Sequence, residues 1–262
     1  MTGRVEGKSI IVTGAGSGMG RAIAHRLAAE GANITVADLD GASAKTVVEE
    51  IRAQGGNAVP AQADVSERQT VIAMVDCAIS AFGRLDVIFN NAGFNKPMHL
   101  LDVTEENWRS IMDVNALGVL ICTQEAARQM IRQGEGGKIV NTASIAGRQG
   151  YPSFAPYCAS KFAVIALTQA TARALAEHNI TANAFAPGVV ATPLWERLDK
   201  DLLGLGDSKE PGQAMADFSA DILRGRPAQA ADITGTALYL ASEDSDYMTG
   251  QVMMIDGGMV LV

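Results

Sequence analysis

Ser9-Ile10-Ile11-Val12-Thr13-Gly14-Ala15-Gly16-Ser17-Gly18-Met19-Gly20 is the stretch that decides the fold. Its first five residues centre on the apolar, β-branched run Ile10-Ile11-Val12, which predicts a short buried strand. The periodic stretch 19–30 behind it predicts a helix that stops at Gly31. The glycines between them let the backbone turn tightly and approach a ligand closely. Free N–H groups and the macrodipole at the helix start favour an anion there. A glycine loop alone is a weak signal. Set between a strand and a helix, it predicts a dinucleotide pyrophosphate site touched by Gly14, Ser17, Gly18 and Met19.

The same alternation continues outward. Apolar runs at 33–37, 58–63, 86–90, 138–143, 180–186 and 252–255 predict six more strands. Amphipathic stretches at 42–53, 67–82, 105–133, 155–177 and 230–241 predict the helices between them. Strand and helix in strict alternation mean parallel pairing through right-handed crossovers. The expected fold is therefore α/β: a Rossmann-type, doubly wound, parallel seven-stranded sheet with helices on both faces. No linker or low-complexity tract interrupts it, so one domain over 1–262 is expected. The segment at about 190–227 is irregular, with Gly204, Gly206, Pro211, Gly212 and Pro227, and is expected to be a substrate loop or lid.

Composition narrows the function. With 262 residues, 48% of them hydrophobic, the chain can bury one large core. A net charge of −8 with scattered Lys and Arg argues against a nucleic-acid partner. No apolar run spans a bilayer and no signal-peptide pattern opens the chain, so a membrane partner is not expected. Cys77, Cys122 and Cys158 are odd in number and lack paired spacing, which argues against disulfides and a metal site and suits a cytoplasmic setting.

Asp38 closes the second strand, followed by Leu39 and Asp40. A carboxylate there accepts hydrogen bonds from ribose hydroxyls and repels a 2′-phosphate, and no base stands nearby, so NAD is expected over NADP. Asp64 and Val65 end the third strand. Asp64 is placed either on the adenine or as a cap of the helix starting near Glu67.

Tyr157 and Lys161 stand four apart on one face of a helix. An ammonium beside a phenol favours the phenolate and lowers its pKa, making an acid/base pair. By itself this is a common helical spacing. Ser144 at the end of the fifth strand and Asn115, an asparagine in mid-helix, give it context.

At this point the chain resembles the short-chain dehydrogenase/reductase family over essentially its whole length. The matching motifs are Thr13-Gly14-x-x-x-Gly18-x-Gly20, Asn90-Asn91-Ala92-Gly93, the tetrad Asn115, Ser144, Tyr157 and Lys161, and Pro187-Gly188 with Thr192. The resemblance implies that Tyr157 moves the proton and that Lys161 lowers its pKa and binds the nicotinamide ribose. It implies that Ser144 binds the substrate oxygen and that Asn115 holds a water leading to Lys161. It also implies cofactor contacts from Asn91, Ala92 and Gly93, with Val190 backbone and Thr192 hydroxyl on the carboxamide, and commonly a homotetramer. The tail Met259-Val260-Leu261-Val262 suits burial in such an assembly.

Around Trp195 and over 244–251 the chain is similar to polyol (sorbitol-type) and meso-2,3-butanediol dehydrogenase/acetoin reductase members. Small-molecule secondary alcohols and ketones are the expected substrates. Ile145 departs from a polar Gln in such relatives, which leaves room for a less polar ketone. A 3-oxoacyl-carrier-protein reductase is the alternative, disfavoured by Asp38, and a non-catalytic dinucleotide sensor is disfavoured by the intact tetrad. Phe94, Met98, Tyr151 and Trp195 are pocket candidates by position; His25, His99 and His178 read as structural or surface residues.

Overall fold

A computed structural model describes residues 3–261. The elements run β1 (Ser9–Thr13), α1 (Gly18–Ala29), β2 (Asn33–Asp38), α2 (Gly41–Ala53), β3 (Asn57–Gln62), α3 (Arg68–Phe82), β4 (Val87–Asn90), α4 (Glu105–Met112), α5 (Gly118–Gln133), β5 (Gly137–Thr142) and α6 (Ala155–Ala174). They continue with β6 (Ile180–Pro187), β7 (Val190–Ala191), α7 (Pro193–Leu205), α8 (Gln213–Ser219), β8 (Ala228–Gln229), α9 (Ala230–Ala241) and β9 (Val252–Ile255).

One parallel sheet takes seven strands in the order β3-β2-β1-β4-β5-β6-β9. All five residues of β1 are buried, as a strand covered on both faces requires. On one face, Ile23 and Leu27 of α1 and Val47 and Ile51 of α2 pack with Ile233, Ala237 and Leu238 of α9. On the other, Val71, Met74 and Val75 of α3 meet Ile121, Cys122 and Ala126 of α5, while Val164 and Ile165 of α6 pack under β6. The chain winds outward from β1 one way and from β4 the other. That reversal opens a crevice beyond their carboxyl ends, where such sheets hold ligands.

Two sequence expectations are corrected. The helix predicted over 105–133 runs unbroken but is not regular, because a π-helical segment, Asp113–Leu117, carries Asn115 between α4 and α5. An inserted residue of this kind turns a side chain off its regular face, and such bulges favour functional sites. The segment read as irregular contains α7 and α8. Pro193 sits in the first turn of α7, where proline suits a helix, and Gly206 ends it in the left-handed region (φ 81°). Both residues bound the helix, so reading Gly206 as part of an irregular run hides the buried face of Trp195, Leu198 and Leu202. Val262, the last residue of the apolar tail, lies outside the described residues, and Leu261 is exposed.

A buried polar chain ties the sheet to the helices that carry the site. Asn90 Nδ2 donates to Thr123 Oγ1 (3.1 Å) and to Asn141 Oδ1 (2.8 Å). Asn141 Nδ2 donates to Thr168 Oγ1 (2.9 Å), which donates to the Val164 carbonyl (2.8 Å). Asn141→Ala removes the middle of this chain. It should cost ~1–3 kcal/mol, lowering the urea midpoint with an unchanged m value. An unmoved midpoint would show that the chain is not stabilising.

Candidate active site

The glycine loop is shaped by close approach. Gly14 holds φ 63°, and a Cβ there would stand 2.9 Å from Ala92 Cα. A Cβ on Gly20 would stand 2.2 Å from the Gly14 carbonyl oxygen. Thr13 fastens this loop to the end of β4. Its hydroxyl donates to the Phe89 carbonyl (3.1 Å) and accepts from the N–H groups of Asn91 and Ala92 (both 3.0 Å). Asn91 Nδ2 returns a bond to the Thr13 carbonyl (2.9 Å).

A cleft of about 400 Å³ opens here. Its walls include Gly14, Ser17, Gly18 and Met19 from the loop and Asp38 and Leu39 at the end of β2. Asp64, Val65, Asn91, Ala92, Gly93 and Thr192 line it as well, whereas the other expected cofactor residues, Tyr157, Lys161, Pro187, Gly188 and Val190, line the cavity beside it. Asp38 is held in place: Oδ2 accepts from Gly16 N–H (2.8 Å) and Oδ1 from Asp40 N–H (3.0 Å). Arg21, on α1, is committed to Glu50 (2.8 Å). Asp64 does not cap α3, whose N-cap is Glu67; its carboxylate accepts from Ser66 N–H (2.9 Å) and hydroxyl (2.6 Å).

A smaller cavity of about 100 Å³ adjoins the cleft and shares Met19, Asn91, Gly93 and Thr192 with it. Ser144, Tyr157 and Lys161 converge on it, with Pro187, Gly188 and Val190 on one side. Ile145, Tyr151 and Trp195 are in its wall as well. Asn115 is not. It is fully buried beneath Gly93, with Oδ1 accepting from Phe94 N–H (3.0 Å) and Nδ2 donating to the Phe94 carbonyl (2.8 Å) and Ser160 Oγ (3.2 Å). The mid-helix asparagine therefore braces the strap after β4 against α6.

Lys161 is 4% exposed and donates to the Thr142 carbonyl (2.7 Å), with Nζ 5.6 Å from the centre of the Tyr157 ring. Desolvation lowers its pKa to about 8. Tyr157 keeps some accessible surface as a residue, yet its phenol is pushed up to about 12, chiefly by desolvation, with Ser144 pulling the other way. In this arrangement burial, not Lys161, sets the direction of the phenol. Ser144 Oγ accepts from Ala146 N–H (3.1 Å), so its own proton can point to the Tyr157 phenol or turn to an incoming oxygen.

Wall residues unread in the sequence include Asn95, Phe154, Leu198 and Phe218. The two phenylalanine rings stack (5.5 Å), and Trp195 meets Phe218 edge-on (5.4 Å). Their spacing along the chain gives no signal, because α7 and α8 bring them over the cavity. Arg197 of α7, also unread, lines the larger cleft. Phe94 lines that cleft too, whereas Met98 lines neither cavity and donates its N–H to the Ser153 carbonyl (3.0 Å). Cys158 is buried, and its Sγ accepts from Tyr151 N–H (3.4 Å). His25 pairs with Glu50 (3.0 Å) and His178 with Glu177 (3.7 Å); neither lines a cavity of the site.

A phenol, a hydroxyl and an ammonium beside a dinucleotide cleft define an oxidoreductase acting on a carbon–oxygen centre. Residues 8–203 match the short chain dehydrogenase family model, and the chain belongs to that family. It is 40% identical over 253 residues to "Diacetyl reductase [(S)-acetoin forming]" of Staphylococcus epidermidis, covering 97% of this chain and 98% of that one. It is 44% identical over 186 residues to the L-2,3-butanediol dehydrogenase of Corynebacterium glutamicum, covering 71% and 72%. Among solved structures, a short-chain type dehydrogenase/reductase from Mycobacterium marinum superposes with a TM-score of 0.90 at 36% identity, covering 98% of this chain and 97% of that one. The chain is accordingly an NAD(P)-dependent oxidoreductase of CH–OH groups.

Proposed function

We propose that the chain interconverts a small vicinal diol or hydroxyketone and its ketone with NAD, using Tyr157 as proton acceptor and donor. The observation that carries this is the convergence of Ser144, Tyr157 and Lys161 in one small cavity beside the glycine-loop cleft. The close-packed glycines leave room for a pyrophosphate at the start of α1. When bound, the nicotinamide supplies the hydride acceptor or donor.

Ser144 holds the reacting oxygen by turning its hydroxyl proton to it. Tyr157 takes the hydroxyl proton in oxidation and returns it in reduction. Lys161 has one donor on Thr142, and its remaining N–H groups can bind the nicotinamide ribose. Asn115 positions the strap rather than touching substrate. The Val190 backbone and Thr192, after Pro187 and Gly188, hold the carboxamide. Asp38 holds the adenosine ribose, and Asp64 with Val65 borders the adenine. Arg197 adds the only Lys or Arg in the cleft wall among the described residues, placed to favour a pyrophosphate.

Cavity size supports a small substrate over a long acyl chain. The names of the relatives favour vicinal oxygens. The α7–α8 segment serves as the lid, with Trp195 and Phe218 over the substrate. It is fastened by Asp207, which bonds His99 Nε2 (2.9 Å) and Ser153 Oγ (2.5 Å). Exposed Trp108, Leu117 and Phe162 on the α4–α6 side suit burial in a homotetramer. No helix among the described residues is long and apolar enough to cross a membrane, and three free cysteines suit a reducing cytoplasm.

Tyr157→Phe should lower kcat by ~10²–10⁴-fold in both directions while NADH binding, followed by fluorescence, stays within a fewfold of wild type. Near-normal turnover would remove Tyr157 from the mechanism. Asp38 against a 2′-phosphate should make kcat/KM at least roughly tenfold higher with NADH than with NADPH, and Asp38→Ala should narrow that ratio. A preference for NADPH in the wild type would refute the cofactor assignment.

A further inference from the structure

We infer that Asn95 is a specificity residue that hydrogen-bonds the second oxygen of the substrate, the one beside the reacting carbon. The inference rests on the substrate class proposed above. Asn95 is 8% exposed and lines the small cavity with Ser144 and Tyr157. Its Oδ1 is buried and has no hydrogen-bond partner. Among the described residues, eight side chains hold such an orphan atom, and Asn95 alone of them lines this cavity. Leaving a buried amide unpaired is costly, so an orphan acceptor at a cavity wall points to a group that enters.

Two neighbouring polar groups are already committed: Asn91 bonds the Thr13 carbonyl, and Thr192 Oγ1 donates to the Val190 carbonyl (3.3 Å). Tyr151 OH accepts from Gln149 (2.7 Å) and keeps a proton to donate, but it is no buried orphan. Ser144, Tyr157 and Lys161 serve the reacting oxygen and the cofactor side. The residue beside Ser144 is Ile145, which cannot hydrogen-bond. The remaining wall includes Phe154, Leu198 and Phe218. Asn95 is therefore the one group of this wall, among the described residues, that holds a buried acceptor without a partner and can also donate to a second oxygen.

Its position is rigid. The preceding peptide is clamped on both sides by Asn115, and Asn107 Nδ2 donates to the Lys96 carbonyl (3.0 Å) just after it. An amide offers a donor and an acceptor together. It can thus bind a neighbouring hydroxyl, as donor and acceptor, or a neighbouring carbonyl, as donor. A substrate lacking that oxygen leaves the amide unpaired, and such sites discriminate strongly.

The test compares 2,3-butanediol with 2-butanol, and diacetyl with 2-butanone, by NADH absorbance. Wild type should prefer the dioxygenated member of each pair. Asn95→Leu, of similar size, should lose about 10- to 100-fold in kcat/KM for the diol with little loss for 2-butanol, collapsing the ratio. Asn95→Asp, an acceptor only, should keep activity on the diol and lose it on diacetyl, and it decides the matter if the Leu variant melts early. An unchanged diol-to-alcohol ratio in Asn95→Leu, or an equal loss on both substrates, would overturn the assignment. A wild type without any preference for the dioxygenated substrates would instead overturn the proposed substrate class, and the role of Asn95 with it.

Discussion

A buried ammonium on a strand-end carbonyl organises this molecule: Lys161 Nζ on the Thr142 carbonyl, 2.7 Å. Taking a cation out of water is expensive unless fixed dipoles replace the solvent. The end of β5 provides one such dipole, and the Tyr157 ring face lies nearby. Meeting that demand presses α6 against the sheet edge. Gly147 shows how tightly: a Cβ there would come within 2.8 Å of the Lys161 carbonyl oxygen. The Asn90–Asn141–Thr168 chain holds α6 in register with the strands. The π-helical segment then aims Asn115 at Ser160 and at the strap beyond Gly93.

Acid/base behaviour follows from the same burial. Desolvation favours neutral forms, so the phenol rises to about 12 and the ammonium falls to about 8. Groups this close titrate as a pair. The pair with two protons can donate one to a carbonyl. The pair with one proton can accept one from an alcohol through its phenolate–ammonium tautomer, in which Tyr157 is the acceptor and Lys161 holds the remaining proton. The first proton leaves near the lower value, about 8. Reduction should thus belong to the acid side of that pH and oxidation to the alkaline side.

Much of this was legible in the sequence. The alternation of apolar runs and amphipathic stretches yields the seven strands and their parallel pairing, because strands buried on both faces leave an unmistakable pattern. Ser144, Tyr157 and Lys161 stand at strand ends or helix spacings that a linear pattern encodes. Asn115 was legible as an anomaly, and its side chain links the strap after β4 to α6. The cavity roof was not legible. Trp195, Leu198 and Phe218 meet only through the packing of α7 on α8, whose proline and glycines mark helix ends and mimic a loop. Asn95 carries no motif; only burial without a partner distinguishes it.

The coupled Tyr157–Lys161 pair is the central claim, and pH profiles of kcat/KM in both directions test it most directly. Measured from about pH 6 to about pH 10, alcohol oxidation should climb through pH about 8 while carbonyl reduction falls through the same region. In Lys161→Gln that shared limb should vanish from the range, because the first proton then leaves from the phenol alone. Profiles flat across this range in the wild type, or a limb that survives in Lys161→Gln, would contradict the pairing.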